Sequence, residues 1–264
     1  MAREHYGELL RLLALDLNAR PEDFRGNKNV LTVSALREGR RRYDEKEPPF
    51  FQMATLGTNA VVTADERLHP FLREWIAEKT GFWLFETPNL IPLERELNRF
   101  GYTLLPPHHM FLSASEVTPT RSDPVKWFFG RGEIEPFYGD PRFPNAICTA
   151  YTPARPDTVA VCAYDGDKIM GMAGCSEDAP GWEQIGIDVL PEYRSRGVGT
   201  YLVTLLKNKI LRHGNIPFYG TSAANIASQN IALNCGFRPT WVDLGAKRIG
   251  ERQTTSETSE ILLD

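Results

Sequence analysis

The stretch from Glu183 to Gly214 limits the fold more than any other. It opens with an apolar run, Gln184-Ile185-Gly186-Ile187-Asp188-Val189-Leu190, and passes through Pro191-Glu192-Tyr193 to Arg194-Ser195-Arg196-Gly197-Val198-Gly199-Thr200. The run alternates and is rich in β-branched residues, as a half-buried strand requires, and Pro191 removes the amide that would continue the ladder. After Thr200, residues Leu202, Val203, Leu205, Leu206, Ile210 and Leu211 follow a helical period, and Gly214 stands where a helix closes. Two glycines just before the helix let the backbone approach a ligand with no Cβ in the way. Free amides and the positive helix end can then converge on one anion. A pyrophosphate is the natural guest.

The pattern Arg194-x-x-Gly197-x-Gly199 after a strand resembles the acyl-CoA pyrophosphate motif of the GNAT superfamily of N-acyltransferases. A second signature follows: a short strand, Pro217-Phe218-Tyr219-Gly220, then a helix from Asn225 to Ala232 and Gly236-Phe237. The resemblance covers residues 105 to 245 and is closest to two-domain bacterial members. It implies an α/β (α+β) fold with a mixed, largely antiparallel sheet and flanking helices, plus a smaller N-terminal α/β domain. The expected division is 1–104 for that domain, 105–250 for the acyl-CoA-binding domain and 251–264 for a polar tail.

Composition narrows the partners. The 264 residues, 42% of them hydrophobic, suffice for a buried core, and a net charge of -4 lacks the basic excess of a nucleic-acid binder. No apolar run approaches the ~20 residues that span a bilayer, and Met1-Ala2-Arg3-Glu4-His5 lacks the start of a signal peptide. The expectation is a cytoplasmic protein acting on small molecules or peptides, with a homodimer left open. Cys148, Cys162, Cys175 and Cys235 form no C-x-x-C pair, so they read as reduced packing residues.

Along the chain, residues 3 to 16 carry a helical stripe, Leu9, Leu10 and Leu13. Val30 to Ser34 and Ala60 to Thr63 read as strands, and the charge run Arg37 to Glu47 between them reads as a solvated loop. Thr63 with Glu66 makes a capping box for a helix that Gly81 ends, and Pro92 starts a second helix that stops at Gly101. His108 and His109 read as a turn beside a strand rather than a metal site. The aromatic segment Thr118 to Pro144 reads as an irregular packed connection. An antiparallel meander follows, Thr158 to Tyr164 and Lys168 to Cys175, with a turn over Ser176 to Gly181 before the strand from Trp182.

The resemblance assigns roles to particular residues. Arg194, Ser195, Arg196, Gly197, Val198, Gly199 and Thr200 would hold the pyrophosphate of acetyl-CoA. Asp188, Val189 and Leu190 would line its pantetheine arm, with the Val189 or Leu190 amide facing the thioester oxygen. Asn225 and Ser228 sit at polar contacts to the same arm, although Asn225 also suits a helix cap. A glutamate at the start of the strand, Glu183, is the expected general base, with Asp188 and the more distant Asp178 as alternatives. Ala232 occupies the place of the family's frequent tyrosine acid, which leaves proton delivery to solvent or to Tyr219. The implied activity is acetyl transfer from acetyl-CoA to a primary amine by direct attack, with no metal. A coenzyme-A-binding module without turnover is the alternative. A dinucleotide site is disfavoured, because Leu202 replaces the third glycine and Tyr219 stands near the expected acidic position.

Overall fold

A computed structural model describes residues 5–43, 47–77, 79–113 and 115–250. The tail 251–264 and the middle of the charge run, 44–46, lie outside the described residues. The strands are β1 (Val30–Val33), β2 (Phe51–Thr55), β3 (Ala60–Ala64), β4 (Tyr102–Leu104), β5 (His108–Leu112), β6 (Val125–Phe129), β7 (Asp157–Asp165), β8 (Lys168–Ala179), β9 (Trp182–Val189), β10 (Ile216–Ser222) and β11 (Arg238–Arg248). The helices are α1 (Tyr6–Asp16), α2 (His69–Ile76), α3 (Thr87–Arg99), α4 (Gly130–Ile134), α5 (Val198–Arg212) and α6 (Ile226–Asn234).

The strands form one sheet in the order β1-β3-β2-β11-β5-β10-β9-β8-β7-β6, with β4 paired to β11 off this path. Only β1 with β3 and β9 with β10 run parallel, so the sheet is mixed and largely antiparallel, as expected. The connection from β9 through α5 to β10 is the crossover that a parallel pair demands. Strands from both sides of residue 104 share the sheet: β11 pairs with β2 along Thr55 to Gln52 and with β5 along Leu112 to His108.

Alternation along the strands divides the side chains between two faces. On one, α5 and α6 cover Val159, Cys175, Ile185 and Tyr219, while α2 and α3 cover Met53, Val62 and Leu244 at the N-terminal end. On the other, Leu9, Leu10 and Leu13 of α1 pack on Ala54, Met110, Trp182, Phe218 and Trp241, as the leucine stripe predicts for a docking helix. Farther along that second face, Phe143, Ala146 and Ile147 close over Ala160, Cys162 and Met172.

Several local expectations are corrected. Phe51–Thr55 forms a further strand between the two expected ones. Thr63 is buried inside β3, and the cap ahead of α2 is Asp65, whose side chain accepts from the Arg67 amide. That helix stops at Ile76, before Gly81. Pro92 sits inside α3, which begins at Thr87 with Pro88 in its first turn, while Gly101 follows its end as expected. His108 and His109 belong to β5, not to a turn. Trp127, Phe128 and Phe129 form the edge strand β6, and β8 runs on to Ala179, which shortens the turn before β9.

The charge run is a loop, as expected, with Arg37, Glu38 and Glu47 exposed, but three of its arginines are bonded to the body of the protein and not simply solvated. Arg41 bonds both Asp16 and Asp243, and Arg42 bonds Asp178 and Gln184. Arg40, buried, reaches Gln52. Buried guanidinium groups need partners of this kind, and the fold gathers them from distant parts of the chain. The result is a strap of arginines tied down on the α1 face of the sheet.

Candidate active site

The parallel pair β9 and β10 is joined only through Ile216 with Trp182, Pro217 with Glu183, Phe218 with Gln184 and Tyr219 with Ile185. Beyond Ile185 and Tyr219 the two strands part, while β9 stays paired to β8 as far as Val189 and β10 stays paired to β5 as far as Ser222. A gap therefore opens in the middle of the sheet.

The backbone of β9 can be assigned to its two edges. The Leu190 amide donates to the Met170 carbonyl at 2.9 Å. Hydrogen-bonded and non-bonded pairs alternate in an antiparallel ladder, so Asp188 and Gly186 also face β8, while Val189 and Ile187 face the gap. This corrects the alternative that gave the Leu190 amide to the ligand, since that donor is engaged. The Val189 carbonyl accepts from Arg194 Nε at 3.0 Å, leaving the Val189 N–H directed into the gap.

At the mouth of the gap, Pro191–Tyr193 make one tight turn and the chain enters α5 through two left-handed residues, Ser195 at φ 58° and Gly197 at φ 78°. Gly197 is the N-cap of α5, which has no side-chain cap, so the first amides of this 15-residue helix face outward with its positive end. Arg194, Ser195 and Arg196 are exposed around them. Gly199 is also required by packing: a Cβ there would lie 3.0 Å from Ile231 of α6 and 3.4 Å from Val189. It lets the two helices and β9 meet. Arg121, paired with Asp123, donates to the Arg196 carbonyl and braces the loop from outside. A cavity of about 360 Å³ beside this brace is lined by Arg121, Tyr164, Tyr193 and Arg196.

The acidic candidates lie on opposite faces, as strand parity predicts. Glu183, 5% exposed, is on the α5 face and accepts from Thr158 at 2.8 Å, Cys175 at 2.7 Å and Asn215 at 2.5 Å. Asp188 is on the α1 face, where it accepts from the amides of Asn145 and Ala146 and from the Asn145 side chain, each at 2.7 Å. Burial raises the Asp188 carboxyl above its ordinary value against the pull of those donors. Asp178 is tied to Arg42 at 2.8 Å and Arg155 at 3.1 Å. Burial alone would raise it, but the two guanidinium groups win and hold it below the usual carboxylate range.

Tyr219, 2% exposed, leaves β10 at the last paired position, and its hydroxyl meets the Ser228 hydroxyl of α6 at 2.8 Å. Burial pushes its pKa up to about 12, so the phenol keeps its proton. Ala232 is fully buried one turn farther along α6. Asn225 caps α6, accepting from the Ser228 amide at 3.1 Å, so its carbonyl oxygen serves the helix.

Comparison with known proteins gives this geometry a family. Residues 125–237 match the acetyltransferase (GNAT) family. This stretch of the chain is a GNAT acetyltransferase domain. It runs from the edge strand β6 to the end of α6 and contains the loop, the gap and every acidic candidate. No curated protein matches the chain. Among solved structures, a GCN5-related N-acetyltransferase from Sphaerobacter thermophilus is 15% identical with a TM-score of 0.46, covering 96% of each chain. A GNAT-family protein from Novosphingobium aromaticivorans is 15% identical with a TM-score of 0.45, covering 55% of this chain and 66% of its own. A Salmonella typhimurium protein solved with its cofactor acetyl-CoA is 16% identical with a TM-score of 0.29, covering 38% of this chain and 67% of its own. This chain thus spans slightly less than two thirds of the Novosphingobium protein. Among the described residues no helix is long and apolar enough to cross a membrane, and no group of three His, Cys, Asp or Glu could hold a metal.

Proposed function

We propose that the protein is an N-acetyltransferase that moves the acetyl group of acetyl-CoA to a primary amine by direct attack. The observation that carries this reading is the gap between β9 and β10, which opens at Ile185 and Tyr219 directly behind an uncapped helix start. The donor set suits acetyl-CoA: outward amides and the helix end for the pyrophosphate, Arg194 and Arg196 for its charge, and the free Val189 edge for the pantetheine amides. Ser228 adds a hydroxyl beside the gap.

In the reaction the amine nitrogen bonds to the thioester carbonyl carbon, the carbon–sulfur bond breaks, and coenzyme A leaves as the thiol. The Val189 N–H donates to the carbonyl oxygen as negative charge grows there. Asp188, half-buried beneath the Asn145–Ala146 turn near the end of β9 and raised by burial, takes the amine proton directly or through one water. Glu183 lies on the other face, closed over by α5 and 5% exposed, where it bonds Thr158 of β7 and Cys175 of β8, and we assign it to holding β7, β8 and β9 in register. Tyr219, protonated and next to Ser228, supplies the proton to sulfur in place of the tyrosine that Ala232 lacks. A cytoplasmic site of action fits such a reaction.

Titration calorimetry with acetyl-CoA, followed by thiol release across a panel of amines, tests the reading. Binding with turnover is expected. Tight binding with no thiol release from any amine would instead mark a coenzyme-A-binding module.

A further inference from the structure

The α1 face of the gap is where an acceptor must approach, because α5 and α6 close the other face. Its floor is half-exposed: Gln184 on β9, Gly220 and Ser222 on β10, His108 on β5 and Asp243 on β11. Gly220 is the first β10 residue past the last pair with β9. A Cβ there would lie 2.9 Å from Met110 Sδ and 3.2 Å from Gln184 Nε2, so glycine lets the Gln184 amide lie across the floor at the gap itself.

Arg42 stands over that amide. Its Nη2 donates to Gln184 Oε1 at 2.8 Å, its Nε donates to Asp178 Oδ2 at 2.8 Å, and its own backbone amide donates to the Asp178 carbonyl. Two side-chain bonds and one backbone bond fix a residue whose side chain is nonetheless 41% exposed. The backbone is left-handed, φ 51°, at a residue with a long side chain, a conformation found where the surroundings impose it and often where function uses it. Asp178 is buried and shared with Arg155, whose guanidinium also bonds the Ser176 hydroxyl. Of the five N–H groups of Arg42, two are engaged by Asp178 and Gln184, and the remaining three have no partner among the described residues, which leaves the Nη1 end of the fork for a ligand. A guanidinium held on one edge and open on the other is preorganised for a planar two-oxygen anion.

We propose that Arg42 is a specificity-determining residue that binds a carboxylate on the acceptor, so that the substrate class is an amine bearing a carboxylate remote from the reacting nitrogen. The proposal rests on the acetyltransferase reading of the gap. The N-terminal segment thereby supplies part of the acceptor site, through a residue outside the matched domain.

Amines that differ only in bearing a carboxylate or a carboxamide provide the test, with thiol release as readout and each amine's own ionisation accounted for. The wild type is expected to favour the carboxylate by tenfold or more in kcat/KM, mostly through KM, the range of one charge-assisted hydrogen-bonded contact. Arg42→Gln should collapse that preference. Arg42→Lys, which keeps the charge and loses the fork, should retain part of it and guards against a folding defect in the first variant. Equal use of carboxylates and carboxamides by the wild type, or a preference that survives Arg42→Gln, overturns the proposal and leaves acetyl transfer standing. Absence of thiol release from every amine despite acetyl-CoA binding overturns both.

Discussion

Tyr219 and Asp188 carry the two proton transfers of the proposed reaction, and each makes a separable prediction. Tyr219→Phe should lower kcat about 10²-fold while acetyl-CoA affinity, read by calorimetry, changes little. Because burial holds the phenol near 12, the pH profile should show no descending limb below about pH 10. An unchanged kcat would assign the proton to solvent, which is chemically feasible for a thiol with an ordinary pKa near ~8.5. Asp188→Asn should cost about 10²-fold in kcat and remove the ascending limb, which in the wild type lies above the ordinary carboxylate range. Glu183→Gln gives the opposite pattern. An amide replaces an acceptor that serves Thr158, Cys175 and Asn215, so chemical denaturation should show a loss of about 1–3 kcal/mol while the folded enzyme keeps its kcat. A large fall in kcat with stability intact would return the base to Glu183. The period of two along β9 puts these two carboxylates on opposite faces, a separation that follows from their positions 183 and 188 alone. What surrounds each one was not legible in the sequence, because Asn145, Thr158 and Asn215 come from loops and strands with no motif of their own.

At the scale of elements, α5 was legible nearly to its ends, since its period, its glycines and its closing Gly214 are all local signals. Its one anomaly is Lys207, fully buried, with Nζ donating to the Ser115 carbonyl at 2.6 Å and the Cys235 carbonyl at 2.9 Å. The lysine ties the start of the 115–117 loop to the end of α6. Burial lowers its pKa to about 8, below that of the unfolded chain. Between about pH 8 and the ordinary lysine value near ~10.4, the unfolded state therefore binds more protons than the folded state, and this group makes stability rise with pH. Urea midpoints at pH 7.5 and 9.5 for the wild type and Lys207→Met should diverge, the wild type gaining relative to the variant at the higher pH. Parallel shifts would contradict a depressed lysine. Other elements were harder to read. β2 is Phe51-Gln52-Met53-Ala54-Thr55, which follows two prolines and carries little β-branching, so its alternation is visible only once β3 is paired to it. The aromatics of β6 suggested packing and hid the strand.

Across the whole molecule, the N-terminal segment continues the sheet of the matched domain through β11 and lays both α1 and the arginine strap on the face opposite α5. No local signal could have revealed the strap, whose ion pairs reach across 25 residues to Asp16, 136 to Asp178 and 202 to Asp243. Residues 105–264 expressed alone would expose the edge of β11 that β2 covers and the apolar face under α1. That fragment should be insoluble or melt without cooperativity. A soluble, cooperative and fully active fragment would contradict the shared architecture. In the proposed reaction the turn from Arg194 to Thr200 holds acetyl-CoA by backbone approach, and Gly197 isolates that contact. Its φ of 78° suits glycine, and valine there would bring both strain and a Cβ beside the outward amides. Calorimetric titration of acetyl-CoA into the wild type and a folded Gly197→Val variant is the most direct measurement. The account predicts an affinity lower by tenfold or more in the variant, about 1.4 kcal/mol, and equal affinities would contradict it.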